Sequence, residues 1–212
     1  MFTVQCDFDD TLVTGNVGHS LLNAFAPAKW CAIESLYSTG EITVEETNRR
    51  QFALLNVTKQ TIDEHVFETA KLRPGVPEFI HNCTSIGLNF SVVSNGVDLY
   101  IEPALRSLTS SRIELHSAHG KITENGISIS YLDPYGIHCL DAFKLSWLRY
   151  FKSQGQKVIY IGDGKSDIAA ALEADYVIAT SSLEDYFRSE GLVYFDFNDF
   201  YDVRQAIDTI LI

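Results

Sequence analysis

Val4-Gln5-Cys6-Asp7-Phe8-Asp9-Asp10-Thr11-Leu12 is the stretch on which the fold of this chain turns. The apolar run from Phe2 to Cys6 reads as a short strand that would carry Asp7 to its carboxyl end, with Asp9 and Asp10 in the first turn beyond. Carboxylates crowded so closely repel one another and shift each other's pKa values, so the ordinary reason to keep them together is a cation or a reaction. The competing reading is an acidic turn in which one aspartate caps a helix.

Working outward, Gly15-Asn16-Val17-Gly18 reads as a loop, and from His19 to about Ala70 the pattern is helical. Leu21, Leu22 and Phe25 share a face, and Ala32, Ile33, Leu36 and Tyr37 recur at three-to-four spacing. Thr43-Val44-Glu45-Glu46 has the form of a capping box before a third helix running through Leu55, and a fourth covers 61–70. No strand pattern interrupts these helices, so an all-helical block is inserted straight after the acidic turn. Arg73-Pro74-Gly75 marks the boundary where it ends.

Beyond that boundary helices alternate with short apolar runs, the signature of a parallel sheet covered on both faces. Strands are expected over 88–93, 112–117, 157–161 and 176–179, with a hairpin over 121–129 turning at Asn125-Gly126. Helices are expected over 77–85, from Ser94-Asn95-Gly96 to about Ser107, over 141–151, over 166–173 and from Leu183, with a closing helix anchored by the aromatic run at 195–201. The fold class is therefore α/β.

Composition narrows the partners. A formal net charge of −12 over 212 residues opposes nucleic acid and anionic membranes. Mean hydropathy of +0.01 is that of a soluble globular chain, and no run approaches the roughly 20 apolar residues of a membrane span. Cys6, Cys31, Cys83 and Cys139 form no CxxC pair and no secreted-type framework, which fits reduced thiols in a cytoplasm.

In open parallel sheets ligands bind beyond the carboxyl ends of the strands, where this chain places Asp7/Asp9, Ser94/Asn95 and Asp163/Asp167. Singly, each has a plain alternative: Ser94 as a helix cap, Lys144 as a solvated helix lysine, Asp163 as a turn residue. Taken in order, Asp7-x-Asp9-x-Thr11, Ser94 after an apolar strand, Lys144 at a helix head and Gly162-Asp163-Gly164-Lys165-Ser166-Asp167 resemble the four motifs of the haloacid dehalogenase superfamily. The helical insert after the first motif resembles the small cap of its phosphoserine-phosphatase-like branch. Phe25-Ala26-Pro27 with Trp30, Phe52-Ala53-Leu54-Leu55 and Asp199-Phe200-Tyr201-Asp202-Val203-Arg204 resemble the methionine-salvage hydroxyketo-methylthiopentenyl phosphate phosphatases.

That resemblance implies a Rossmann-like core from residues 1–14 and 73–212, a helical cap from 15–72, and a magnesium-dependent phosphatase acting on a small phosphorylated metabolite. It implies Asp7 as nucleophile through an aspartyl-phosphate, Asp9 as general acid and base, and Ser94, Lys144 and the backbone N–H groups of Asn95 and Gly96 as phosphate ligands. Magnesium would be held by Asp7, the carbonyl of Asp9, Asp163 and Asp167, the last directly or through water. A carboxylate at Asp9 points away from halide displacement and ion pumping, leaving a phosphomutase or a non-catalytic phosphometabolite sensor as alternatives.

The cap glutamate and arginine with which phosphoserine phosphatases read their substrate fall at Asn16 and Gln51, with Arg50 one step away, which argues against phosphoserine. Tyr131, Asp133, Tyr135 and His138 are candidates for the pocket wall, an ordinary loop being the alternative. His116-x-x-His119 in a strand would point its side chains to opposite faces and make no zinc site. Trp30 and Trp147 read as core, and Arg49-Arg50 as a solvated helix face.

Overall fold

The computed structural model describes residues 1–27, 29–108 and 113–212. On strand β1 (Phe2–Cys6), Thr3, Val4, Gln5 and Cys6 are all buried. Successive strand residues point to opposite faces, so both faces of the sheet are covered.

The chain then leaves the sheet through β2 (Val13–Thr14) and four helices, α1 (Val17–Phe25), α2 (Cys31–Ser38), α3 (Val44–Phe52) and α4 (Lys59–Thr69), and returns through β3 (Lys71–Leu72). The four expected helices are present, and α3 and α4 start at Thr43 and Thr58, whose hydroxyls accept from Glu46 N–H and Thr61 N–H. The antiparallel pairing of β2 with β3 was not foreseen, because two-residue strands carry no periodicity. Arg73 secures the same crossing, donating to the carbonyls of Thr11 (2.8 Å), Asn198 (2.9 Å) and Asp10.

After α5 (Val76–Ser85) come β4 (Asn89–Val97), α6 (Asp98–Leu105), β5 (Glu114–Thr123), β6 (Gly126–Leu132), β7 (His138–Cys139) and α7 (Phe143–Ser153). The chain closes with β8 (Lys157–Gly162), α8 (Ile168–Ala171), β9 (Tyr176–Ala179), α9 (Ser181–Ser189), β10 (Phe195–Asp196) and α10 (Phe200–Ile210), the last capped by the Asp199 carboxylate. The eight-stranded sheet runs β10-β9-β8-β1-β4-β5-β6-β7, parallel from β10 to β5 and antiparallel through β6 and β7. Cys6 stands level with Val92 of β4 and Ile161 of β8, so the carboxyl ends of these three strands open side by side.

Three local expectations shift. Ser94-Asn95-Gly96 belongs to the end of β4 rather than to a helix start; the ladder slips between Val93 and Val97, and α6 begins only at Asp98. The strand expected from Arg112 merges with the first arm of the hairpin into β5, Arg112 itself lying outside the described residues. The hairpin turns at Glu124-Asn125, since Gly126 already pairs with Thr123; the insert crowds this corner, and a Cβ on Gly126 would stand 2.1 Å from the Ala53 carbonyl. Among the described residues no helix is long and apolar enough to cross a membrane.

Candidate active site

Asp7 extends the ladder by one residue, its N–H donating to the Ile161 carbonyl at 2.9 Å, and its carboxylate turns into a cavity of about 350 Å³ between the sheet and the insert. Lys144 arrives from the first turn of α7, whose start is set by left-handed Ala142 (φ 53°) and by Gln5 donating to the Lys144 carbonyl at 2.9 Å. Its Nζ lies 2.8 Å from Asp7 Oδ1, 2.6 Å from Asp167 Oδ1 and 3.3 Å from Ser166 Oγ. Burial opposes this charge, but Asp167 and Asp7 outweigh it and hold the lysine above its usual range. The lysine must stay, since removing it would leave two buried carboxylates without their cation.

Asp163 follows β8 and accepts from the Thr11 hydroxyl at 2.9 Å. One carboxylate oxygen each from Asp7, Asp163 and Asp167 lie within 4.8 Å of one another. Burial pushes the Asp7 carboxyl up to about 7 against the pull of Lys144, and burial, then the charges of Asp167 and Asp7, push Asp163 up to about 8. One lysine does not balance three carboxylates, and an all-oxygen donor set short of positive charge suits a hard divalent cation such as magnesium.

Asp167 is the most committed member of the group. Oδ1 takes Lys144 and the Tyr160 hydroxyl (2.6 Å each), and Oδ2 takes the N–H groups of Asp163 (3.1 Å) and Gly164 (2.9 Å). Gly162 makes room, since a Cβ there would lie 2.7 Å from the Asp167 carboxyl carbon. With every oxygen already served, Asp167 is built to orient Lys144 and the Asp163 loop, which leaves Asp7 and Asp163 the freer ligands.

Ser94 accepts from Gly96 N–H at 3.0 Å, leaving its own O–H to donate into the cavity. The expectation that Gly96 offers a backbone donor from a helix start therefore needs correction. The Gly96 N–H is spent on Ser94. Asn95 faces the insert instead: its amide donates to Glu45 (3.1 Å), and its carbonyl accepts from Asn48 (2.8 Å) and the Tyr131 hydroxyl (2.6 Å). Asp9 is raised by burial, and its two oxygens accept from Val17 N–H and from the Tyr100 hydroxyl at 2.6 Å each.

The insert supplies the opposite wall. Asn16 caps α1 by accepting from His19 N–H (2.7 Å), and Gln51 donates to Glu34 (2.8 Å), whose other neighbour is His19 at 3.7 Å. Asn16, His19, Glu34 and Gln51 all line the cavity. Arg50 does not; one residue on a helix is a rotation of about 100°, and it pairs with Glu46 on the outer face. Arg50 thus fits the solvated-face reading, whereas its neighbour Arg49 turns inward, donating to the Cys139 carbonyl at 2.7 Å and lying over the Tyr131 ring.

The 131–138 segment contributes no wall. Tyr131 is buried against Asn95, while Asp133 organises an exposed turn by accepting from Tyr135 N–H and Ile137 N–H. His116 stacks on Trp147 at 3.5 Å and His119 pairs with Asp98, so the two make no metal pair. Trp30 is partly buried against the edge of the hydrophobic core and stacks on the His19 ring. The roles of Tyr100, Tyr160, Glu45 and Asn48 escaped the sequence reading, because each acts only through a partner that packing brings to it.

A strand-end aspartate pair, a buried lysine and an acidic loop after the neighbouring strand define a class of hydrolase. The sequence model of the haloacid dehalogenase-like hydrolases matches residues 4–173, and the chain belongs to that family. Among curated proteins it is 31% identical over 97% of its length to a Bacillus licheniformis protein named bifunctional enzyme MtnB/MtnX, of which it spans only 49%. It is 28% identical, over 97% of its length and 94% of the relative, to the 2-hydroxy-3-keto-5-methylthiopentenyl-1-phosphate phosphatase of Brevibacillus brevis. In fold it is similar to a phosphoserine phosphatase solved as a phospho-aspartyl intermediate analogue (TM-score 0.72, 18% identity, 98% of each chain). A second, substrate-bound phosphoserine phosphatase has TM-score 0.73 at 15% identity over 97% of each chain.

Proposed function

We propose that this chain is a magnesium-dependent phosphatase that hydrolyses a small phosphate monoester through an aspartyl-phosphate on Asp7. The observation that carries this reading is the placement of Asp7, 2.8 Å from Lys144 and beside Asp163 at the ends of adjacent parallel strands. In phosphoryl transfer the protein positions an in-line nucleophile, neutralises phosphate charge and protonates the leaving oxygen. Asp7 attacks phosphorus and Asp9 gives its proton to the leaving oxygen; Asp9 then takes a proton from the water that opens the acyl phosphate. Ser94 donates to a phosphate oxygen, and Lys144 can exchange its longest contact, to Ser166, for another. Magnesium at Asp7 and Asp163, with the Asp9 carbonyl and Asp167 behind them, would neutralise both the carboxylates and the incoming phosphate.

Residues 1–14 and 73–212 serve as the catalytic core and 15–72 as a cap that selects the substrate and excludes water. Around the cavity, Lys144 is held by Asp7 and Asp167, and Lys165 donates to the Tyr37 and Ser38 carbonyls at 3.3 Å. A substrate carboxylate would therefore meet Glu34, and the two lysines lining the cavity already have partners. Small neutral esters suit this wall better than phosphoserine, and the hydroxyketo-methylthiopentenyl phosphate named for the relatives is the first compound to try. The reading places the enzyme in the cytoplasm. Asp7→Asn should lower turnover of any phosphate monoester by at least about 10³-fold while the protein still folds, measured as phosphate release and circular dichroism. Hydrolysis at the wild-type rate in that variant would refute the nucleophile.

A further inference from the structure

Asp9 is held from two sides by neutral donors, the Val17 N–H on Oδ1 and the Tyr100 O–H on Oδ2. Tyr100 is buried in the first turn of α6, with its ring between Phe8 of the sheet side (6.1 Å between centroids) and Phe52 of the insert (6.0 Å, 15° between planes). Two glycines from separate parts of the chain make the space for its hydroxyl. A Cβ on Gly96 would stand 2.2 Å from the Tyr100 oxygen, and one on Gly18 would stand 3.1 Å from it. A tyrosine ring packed this way needs no hydroxyl for its apolar contacts, and phenylalanine would fill the same clamp. What the hydroxyl supplies is direction to one carboxyl group.

We propose that Tyr100 is the positioning residue of the general acid: it fixes the Asp9 carboxyl so that the proton reaches the leaving-group oxygen. The inference rests on the phosphatase reading above. As the bond from Asp7 to phosphorus forms and the bond to the leaving oxygen breaks, that oxygen takes the Asp9 proton; Asp9 later recovers one from water, and Tyr100 keeps its own throughout. Each carboxyl oxygen has two lone-pair sites, so one held donor on each still leaves a site for the transferred proton. Because Val17 opens the first helix of the insert, docking of the insert completes the alignment.

The test compares kcat/KM, which reports steps through cleavage of the ester, for two substrates in the wild type and in Tyr100→Phe. For an alkyl phosphate that the wild type turns over, whose alkoxide needs a proton, the variant should lose about 10- to 100-fold. For 4-nitrophenyl phosphate, whose phenolate leaves almost unassisted, it should lose less than about threefold. The ratio of the two is independent of the fraction of folded enzyme, so poor folding does not imitate the result. Equal losses on both substrates, or none on the alkyl ester, overturn the role of Tyr100. Full activity in Asp7→Asn would instead overturn the phosphatase reading.

Discussion

On the sheet side of the cavity Asp7, Lys144 and Asp167 are 6, 3 and 0% exposed, and each is held by partners from at least two elements. Across from them His19 and Glu34 of the insert keep 39 and 29% of their side-chain surface and touch each other only at 3.7 Å. The two halves meet through apolar packing, such as Phe52 on Tyr100, and through polar contacts that include Glu45 to Asn95 and the Phe143 N–H, Asn48 to Asn95, Arg49 to the Cys139 carbonyl and Lys165 to the end of α2. Bond-making groups gain from rigid placement in a dry site, whereas groups that admit and release a substrate need room to move. The contrast supports the proposal that the sheet side carries the chemistry and the insert the choice of substrate.

The largest expected effect lies in the rigid half. Lys144→Met should destabilise the protein by about 3–5 kcal/mol in urea unfolding, because Asp7 and Asp167 would be left buried without their cation. Retained stability in that variant would remove the claim that the sheet side is locked by charge.

Next comes pH. In the cation-free protein Asp7 and Asp163 keep their protons up to about 7 and 8, chiefly because they are buried, whereas an unfolded chain loses them near 4. Between these values the unfolded state binds fewer protons, so stability falls as pH rises through the window and levels off above it. Melting with a chelator should therefore occur at a lower temperature at about pH 8.5 than at about pH 6, and added magnesium should narrow or reverse the difference.

Smaller effects belong to the insert. Gln51→Ala should raise KM about threefold or more and change kcat by less than about twofold, as expected of a wall residue remote from the reacting atoms. Arg50→Ala, one position along on the outer face, should leave both constants unchanged and alter stability by no more than about 0.5 kcal/mol. Equal behaviour of the two variants would blur the division between halves.

Much of this was legible beforehand. The apolar runs ending in Asp7, Ser94 and Asp163 announce parallel strands, because alternation and burial are local properties of a strand. The four helices of the insert followed from spacing and, for the third, from the capping box at Thr43. The β2–β3 ribbon was hidden by its shortness, and the start of α6 was misplaced because a slipped ladder leaves no trace in composition. Tyr100, Tyr160 and Glu45 look like filler or helix-surface residues until the chain brings Asp9, Asp167 and Asn95 to them.

By itself the sequence determined the order of strands and helices and which carboxylates stand at strand ends, since these depend on neighbours along the chain. Only the tertiary structure decided which donors are spent and which are free: that Asp167 is saturated, that Gly96 serves Ser94 and makes room for Tyr100, that Arg49 turns onto Tyr131 and the Cys139 carbonyl. The physical reason is range. Periodicity and capping act over a few residues, whereas a hydrogen bond between distant residues exists only once packing has set their separation to a fraction of an ångström.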